Sequence, residues 1–282
     1  MALPSRRPLH NSSARGFSLI ELSIVVAIIS VVATLGLEVA ANFVARTATS
    51  ISRDRLKVVD EATAAFFKVT GRLPCPAIIN IPPTNADYGL ENCTAVTFFG
   101  TIGGGLMWGG VPIRTLNLPS IYALDGFNSK FNYVVTRNLT QAGTSTIGQF
   151  AYNAGTPAQN GVGGIEIRSG VLEQPCSSSK CQILANPSLT PSTGAAYILF
   201  SNGADQRGAY SARGVVLKNC LIFSPERRID TQNCVYGNGV VSAGMSVTTI
   251  PTNVFYDSRV NAGLNLTSYF DDVVIWRPRG QL

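Results

Sequence analysis

The sequence predicts an α+β fold in which one long N-terminal helix packs on a β-rich globular domain. Three observations carry this expectation. Phe17 to Leu37 is an apolar run with Glu21 as its only charge. No proline interrupts the chain from Phe17 to Leu73. Beyond Gly71, short β-branched and aromatic runs alternate with turn residues, the order expected of α+β and not of alternating α/β architecture.

The helix comes first. About 20 apolar residues span a bilayer as a helix, so 17–37 is read as a transmembrane half. Arg6, Arg7 and Arg15 precede it with no acid among them, which places its N-terminus in the cytoplasm and the bulk of the chain outside. Beyond Arg46 the pattern turns amphipathic. Ile51, Val58, Ala62, Ala65, Phe66 and Val69 form one apolar stripe, while Arg53, Asp54, Lys57, Asp60, Glu61 and Lys68 fall off it. Gly71 and Pro74 stop the helix, so it is read over 17–70. At 1.5 Å per residue that is a rod of roughly 80 Å, with Gly36 as a place where it can bend.

The globular domain is read over 71–282. Strands are expected at Phe131–Thr136, Ile147–Tyr152, Gly164–Ile167, Ala195–Ser201, Gly214–Ile222 and Asp272–Trp276. Turns are expected at Asn153–Gly155 and Asn202–Asp205. Residues 74–120 carry six prolines, including Pro82 and Pro83, and are read as irregular loops. The sheet is expected to pack on the stripe of the long helix.

Six cysteines lie beyond the apolar run, in a compartment where disulfides persist. Six allow 15 pairings. Their chain positions group into near neighbours, Cys75–Cys93, Cys176–Cys181 and Cys220–Cys234. No Cys-x-x-Cys occurs, which weakens redox-motif and zinc-ribbon readings. The one histidine, His10, precedes the apolar run, so the rest of the chain lacks the histidine that Ser-His-Asp and Cys-His catalysis or histidine-ligated zinc requires. Gly103-Gly104-Gly105 lacks a phosphate-binding context and reads as a turn. No dense Lys/Arg cluster marks a nucleic-acid surface. These absences argue against catalysis, and no cofactor is expected.

The boundary itself is the sharpest motif. Arg15-Gly16-Phe17-Ser18-Leu19-Ile20-Glu21 joins a polar, basic leader to the apolar run, whereas an ordinary secretory signal places its cleavage site after that run. This heptapeptide resembles the class III signal of type IV pilins and type II secretion pseudopilins. The resemblance implies a leader over 1–16, cleavage after Gly16 by a prepilin peptidase, and N-methylation of Phe17 by the same enzyme. Glu21 then holds the fifth mature position, where the family has its glutamate. Removing the leader leaves 19 basic against 16 acidic residues, a net +3 in place of +6.

Two further likenesses extend the family reading. Asp125-Gly126-Phe127-Asn128-Ser129-Lys130-Phe131-Asn132-Tyr133 is similar to the pseudopilin stretch Asp-x-Trp-Gly-x-x-Tyr-x-Tyr, with Phe127 for tryptophan, Asn128 for glycine and Phe131 for a tyrosine. Phe270-Asp271-Asp272-Val273-Val274-Ile275-Trp276 is similar to the Asp-x-x-x-Trp ending of some pseudopilins, some of which bind calcium. Asp271 and Asp272 are the calcium candidates, set against a solvated or capping role, because calcium needs six to eight oxygens.

The resemblance implies a pilin-like structural subunit, a minor pilin or minor pseudopilin given its length. Such a subunit is a single-pass inner-membrane protein with a periplasmic domain before it joins a helical fibre. Its implied partners are the lipid bilayer, the inner-membrane assembly platform and other pilin or pseudopilin subunits. Tip subunits of the secretion fibre often lack the fifth-position glutamate, so Glu21 argues against that role. The alternatives are an adhesive, ligand-binding tip protein on a pilin anchor, and an anchored periplasmic enzyme.

Overall fold

A computed structural model describes residues 18–94, 97–99, 105–141, 163–170, 181–189, 192–218, 233, 253–258, 270–278 and 281–282. For 32–42, 97–99 and 181 it describes the backbone alone. The expected strand Ile147–Tyr152 and turn Asn153–Gly155 lie outside these residues. One helix, α1 (Leu19–Thr70), precedes eight described strands: β1 (Thr97–Phe99), β2 (Leu106–Gly110), β3 (Asn132–Thr136), β4 (Glu166–Gly170), β5 (Cys181–Ala185), β6 (Ala195–Ser201), β7 (Val254–Tyr256) and β8 (Val273–Pro278). Two compact units meet within α1, between Ala45 and Arg46.

In the first unit, Ser18 begins the helix. Its carbonyl accepts the Leu22 N–H at 3.1 Å as the first intrahelical bond, and its Oγ accepts the Ile20 N–H at 3.4 Å, a donor that a helix start leaves open. The described apolar side chains Leu19 to Val31 are exposed. Among the described residues no helix is long and apolar enough to cross a membrane. The side chains of 32–42, which complete the apolar run, fall outside the description.

In the second unit, five strands form an antiparallel sheet in the order β1-β2-β3-β6-β8. Period-2 alternation makes both of its faces apolar. On one face Met107, Tyr133, Val135, Tyr197, Leu199 and Val273 pack with Leu56 and Val59 of α1. On the other, Leu106, Trp108, Val134, Ile198 and Phe200 pack with Ile165, Ile167, Ala185 and Phe255. Of these, Ile167, Ala185 and Phe255 come from a second, three-stranded sheet, β5-β4-β7, whose β4–β7 pair is parallel. The large sheet is thus covered by the helix on one side and by the small sheet on the other.

The helix seats differently from the stripe read in the sequence. Its buried positions are Ala48, Ser52, Leu56, Val59, Asp60, Thr63 and Ala64. Of the expected stripe, Val69 is 86% exposed and Ile51 38%. At ~100° per residue the true face is rotated by roughly a quarter to a third of a turn. The reason is polar. Asp60 accepts the Tyr197 hydroxyl at 2.7 Å and Arg277 Nη2 at 2.6 Å, so a carboxylate assigned to solvent is drawn onto the sheet. Ser52 and Thr63 bury their hydroxyls by donating to carbonyls one turn back, Ala48 and Val59.

The helix ends as its sequence requires. Gly71 takes a φ of 71°, a left-handed conformation that glycine adopts without strain. The 74–120 segment is more regular than its prolines suggest, because β1 at 97–99 and β2 at 106–110 form between Pro83 and Pro112. Ala195–Ser201 is a strand with the expected bounds, and a turn follows it at 203–206. Residues 214–218 form no strand; they are the return arm of a hairpin bridged at Tyr210–Val216 and Arg207–Lys218.

Lys130 is the most exposed to pH of the buried groups. Its ammonium donates to the Ile79 and Ile81 carbonyls at 2.8 and 2.6 Å and lies 4.9 Å from the Tyr88 ring centre. Burial lowers its pKa from 10.5 to about 8. Between those values the unfolded chain binds more protons than the folded one, so stability rises with pH across that window. Above it the buried Tyr133 and Tyr197 hydroxyls, both raised chiefly by burial, reverse the trend. Thermal unfolding of the full chain should therefore shift upward from pH 7 to 9.5, by an amount on the order of 1–3 kcal/mol. Lys130→Met should flatten that slope; an unchanged slope would remove Lys130 as its cause.

Candidate functional site

The residues singled out from the sequence fall in separate places. Gly16 and Phe17 lie outside the described residues. Glu21 lies in the first turn of α1 and is exposed. A carboxylate there is favoured by the helix macrodipole. With Ser18 at the cap, Ser18-Leu19-Ile20-Glu21 is a capping-box pattern. That pattern is legible in the sequence itself.

The motif around Asp125 forms the loop on which α1 rests. Asp125 accepts the Phe127 and Ser129 N–H groups at 2.9 and 2.8 Å and the Ser201 hydroxyl at 2.6 Å. Its pKa is raised, burial outweighing those hydrogen bonds. Gly126 donates its N–H to Ser52 Oγ at 2.9 Å. A Cβ at Gly126 would collide with the Ala48 backbone, so only glycine permits this approach. Arg55 Nη1 donates to the Leu124 and Asp125 carbonyls, both at 2.9 Å. Asn128 has a φ of 64°; asparagine tolerates this region better than most residues, which explains its standing in the family's glycine position. Phe131 and Tyr133 are fully buried against the helix-facing core.

At the tail, Asp271 and Asp272 are both 3% exposed, so neither is a solvated acid. Asp272 Oδ2 accepts from Asn233 Nδ2 at 2.9 Å. Asp271 Oδ2 accepts the Asp205 N–H at 2.8 Å, a role that fixes the turn after β6. Asp271 Oδ1 is buried with no hydrogen-bond partner. Asp205 Oδ2 faces Arg207 Nε at 3.0 Å as an ion pair without hydrogen-bond alignment. The Lys218 ammonium donates to the Asp205 carbonyl at 2.6 Å. Calcium takes six to eight oxygens. The described residues offer two carboxylate oxygens beside two cationic side chains, which does not make a calcium shell. In the sequence Asp205 reads only as a turn residue; nothing in its local sequence shows the contact with Asp271.

Cys75 and Cys93 form a disulfide with Cα atoms 5.2 Å apart. With Glu91 they place three potential metal-ligand atoms within 4.8 Å of one another, but the disulfide leaves no thiolate to bind one. Cys176, Cys220 and Cys234 lie outside the described residues, and Cys181 is described by its backbone alone.

Residues 11–37 match the family model described as the prokaryotic N-terminal methylation motif. No curated protein and no solved structure matches the chain.

Asp205 has a raised pKa, through burial first and the Asp271 charge second. A raised carboxyl contributes stability in acid that is lost as pH rises through the folded pKa. Asp271→Asn keeps an acceptor for the Asp205 N–H and removes the repelling charge. The variant should unfold later than the parent at pH 7, by about 1 kcal/mol, with the gain vanishing below pH 4. A lower melting temperature at pH 7 would show that the charge on Asp271 is needed.

Proposed function

We propose that this chain, whose residues 11–37 are the class III prepilin signal of type IV pilins and pseudopilins, is a structural subunit of a type IV pilus or a type II secretion pseudopilus. The observation that carries the reading is the order of segments: a basic leader, Gly16-Phe17, then the apolar helix. Cleavage after Gly16 removes the leader and keeps the helix, which an anchor destined for a fibre core requires. In this reading a prepilin peptidase cuts and methylates the precursor, the bilayer stores it through the 17–37 span, and an inner-membrane platform passes it to neighbouring subunits. The domain over 71–282 lies in the periplasm and then on the fibre. Its length favours a minor subunit. The work is assembly, not catalysis. Neighbouring genes for a retraction ATPase would assign a pilus, and their absence beside a secretin would assign the secretion fibre.

Glu21 has a defined task in this scheme. Cleavage creates a cationic amine at Phe17, one helical turn before Glu21. Each charge alone in lipid is costly, ~2.5–3.5 kcal/mol on insertion scales for a carboxylate at the centre of a span. Pairing Glu21 with the amine of the neighbouring subunit recovers part of that cost only at the correct stagger. It thereby sets the axial register.

Intact-mass analysis of the membrane-extracted protein should give a chain that starts at methylated Phe17. A mature chain beginning after residue 35 would overturn the proposal.

Glu21→Val should insert, be cleaved and fold, yet reach sheared fibres roughly tenfold less than the parent, equivalent to about 1.4 kcal/mol of lost pairing. Glu21→Gln, which keeps a capping side chain without the charge, should behave like the valine variant. Parental incorporation of both, at equal membrane abundance, would show that this charge does not direct assembly.

A further inference from the structure

The end of α1 and the first disulfide are joined by a polar contact that no local motif announces. Arg72 Nη1 and Nη2 donate to Glu91 Oε2 and Oε1, both at 2.7 Å. Glu91 Oε2 also accepts the Cys75 N–H at 2.9 Å. The Glu91 N–H donates to Thr115 Oγ1 at 2.9 Å, and the Asn92 N–H to the Pro76 carbonyl at 2.9 Å. The Arg72 guanidinium also lies 5.1 Å from the Phe66 ring centre. Planar, bidentate pairing of this kind fixes geometry as well as distance. It does so three residues from Cys75 and two from Cys93.

We propose that the Arg72–Glu91 pair is a noncovalent template that selects Cys93 as the partner of Cys75 before the disulfide forms. Without the pair, the two thiols must close a span with a sequence separation of 18. With it, the remaining span is about five residues, and loop-closure entropy then favours the encounter by roughly sevenfold. That bias favours the three of the 15 full connectivities that contain Cys75–Cys93. Burial assigns the order of events: Cys75 is fully buried and Cys93 is exposed. Cys93 is the entry thiol and Cys75 the resolving one. With glutathione disulfide as oxidant, the Cys93 thiolate attacks one of its sulfurs, forming a mixed disulfide and releasing one glutathione. The Cys75 thiolate then attacks the Cys93 sulfur, forming the protein disulfide and releasing the second. The two protein thiols lose two electrons and two protons, and the glutathione disulfide gains them as two thiols. Arg72 and Glu91 are positioning residues and touch neither leaving group.

The test is reoxidation of the reduced full chain in detergent with glutathione disulfide, quenched over time and read by non-reducing peptide mapping. In the parent, glutathione should appear first on Cys93, followed by closure onto Cys75. Arg72→Met should leave the first step unchanged, slow closure roughly sevenfold, and divert Cys75 or Cys93 to the other four cysteines. Arg72→Lys, which keeps the charge without the fork, should fall between. Asp60→Asn is the control for lost stability, since it loosens the helix elsewhere; it should leave the Cys75–Cys93 pairing intact. Closure in Arg72→Met as fast and as exclusive as in the parent would overturn the proposal. So would equal mispairing in Asp60→Asn.

Discussion

The seating of the helix on the sheet depends on one carboxylate. Asp60 draws the Tyr197 hydroxyl from β6 and the Arg277 guanidinium from β8 onto the same two oxygens. Tyr197 and Arg277 are direct cross-strand partners, so Asp60 binds a pair whose spacing the sheet already fixes. A one-residue slip of β8 would send Arg277 to the opposite face. Rotating the helix would strand the carboxylate in an apolar layer. Arg277 is only partly buried, so losing one partner costs less than in a fully buried ion pair, on the order of 1–3 kcal/mol, because the Asp60 carboxylate is left short of a donor. The contact therefore selects one helix face and one register together.

The same logic recurs through the domain. Charged residues are only 13% of the chain, and several of them are buried fasteners. Lys130 ties the 79–81 turn to the strand that follows it. Asp125 closes the loop against which Ser52 and Arg55 lie. Arg168 pairs with Glu166 at 2.6 Å beneath a nearly closed surface. Asp271 organises the turn after β6. Apart from the Arg168–Glu166 pair, which lies within β4, each anchors loop backbone, which has no ladder of its own to satisfy it. These contacts hold the loops in shape from inside the domain.

The proposed assembly role rests on the other end of the chain and on different physics. There the information is linear. A charge order, a residue without a side chain at the cut and an apolar run of bilayer length are all properties of consecutive residues. The same is true of the Ser18 cap, the Gly71 stop and the strand at 195–201. Cys75–Cys93 was also legible, because near neighbours across a short loop are the cheapest pair to close.

Residues close together along the chain carry the N-terminal methylation motif, the helix end at Gly71, the α+β class and one disulfide, and these were legible in the sequence. Tertiary structure alone decided which helix face is buried, that a second sheet with a parallel pair covers the back of the first, and that Asp205 meets Asp271. It also decided that Arg72 reaches Glu91. These contacts join residues from 19 to 217 positions apart, and their side chains read locally as solvated charges. Only the folded chain supplies the partner that offsets most of the cost of burying a charge.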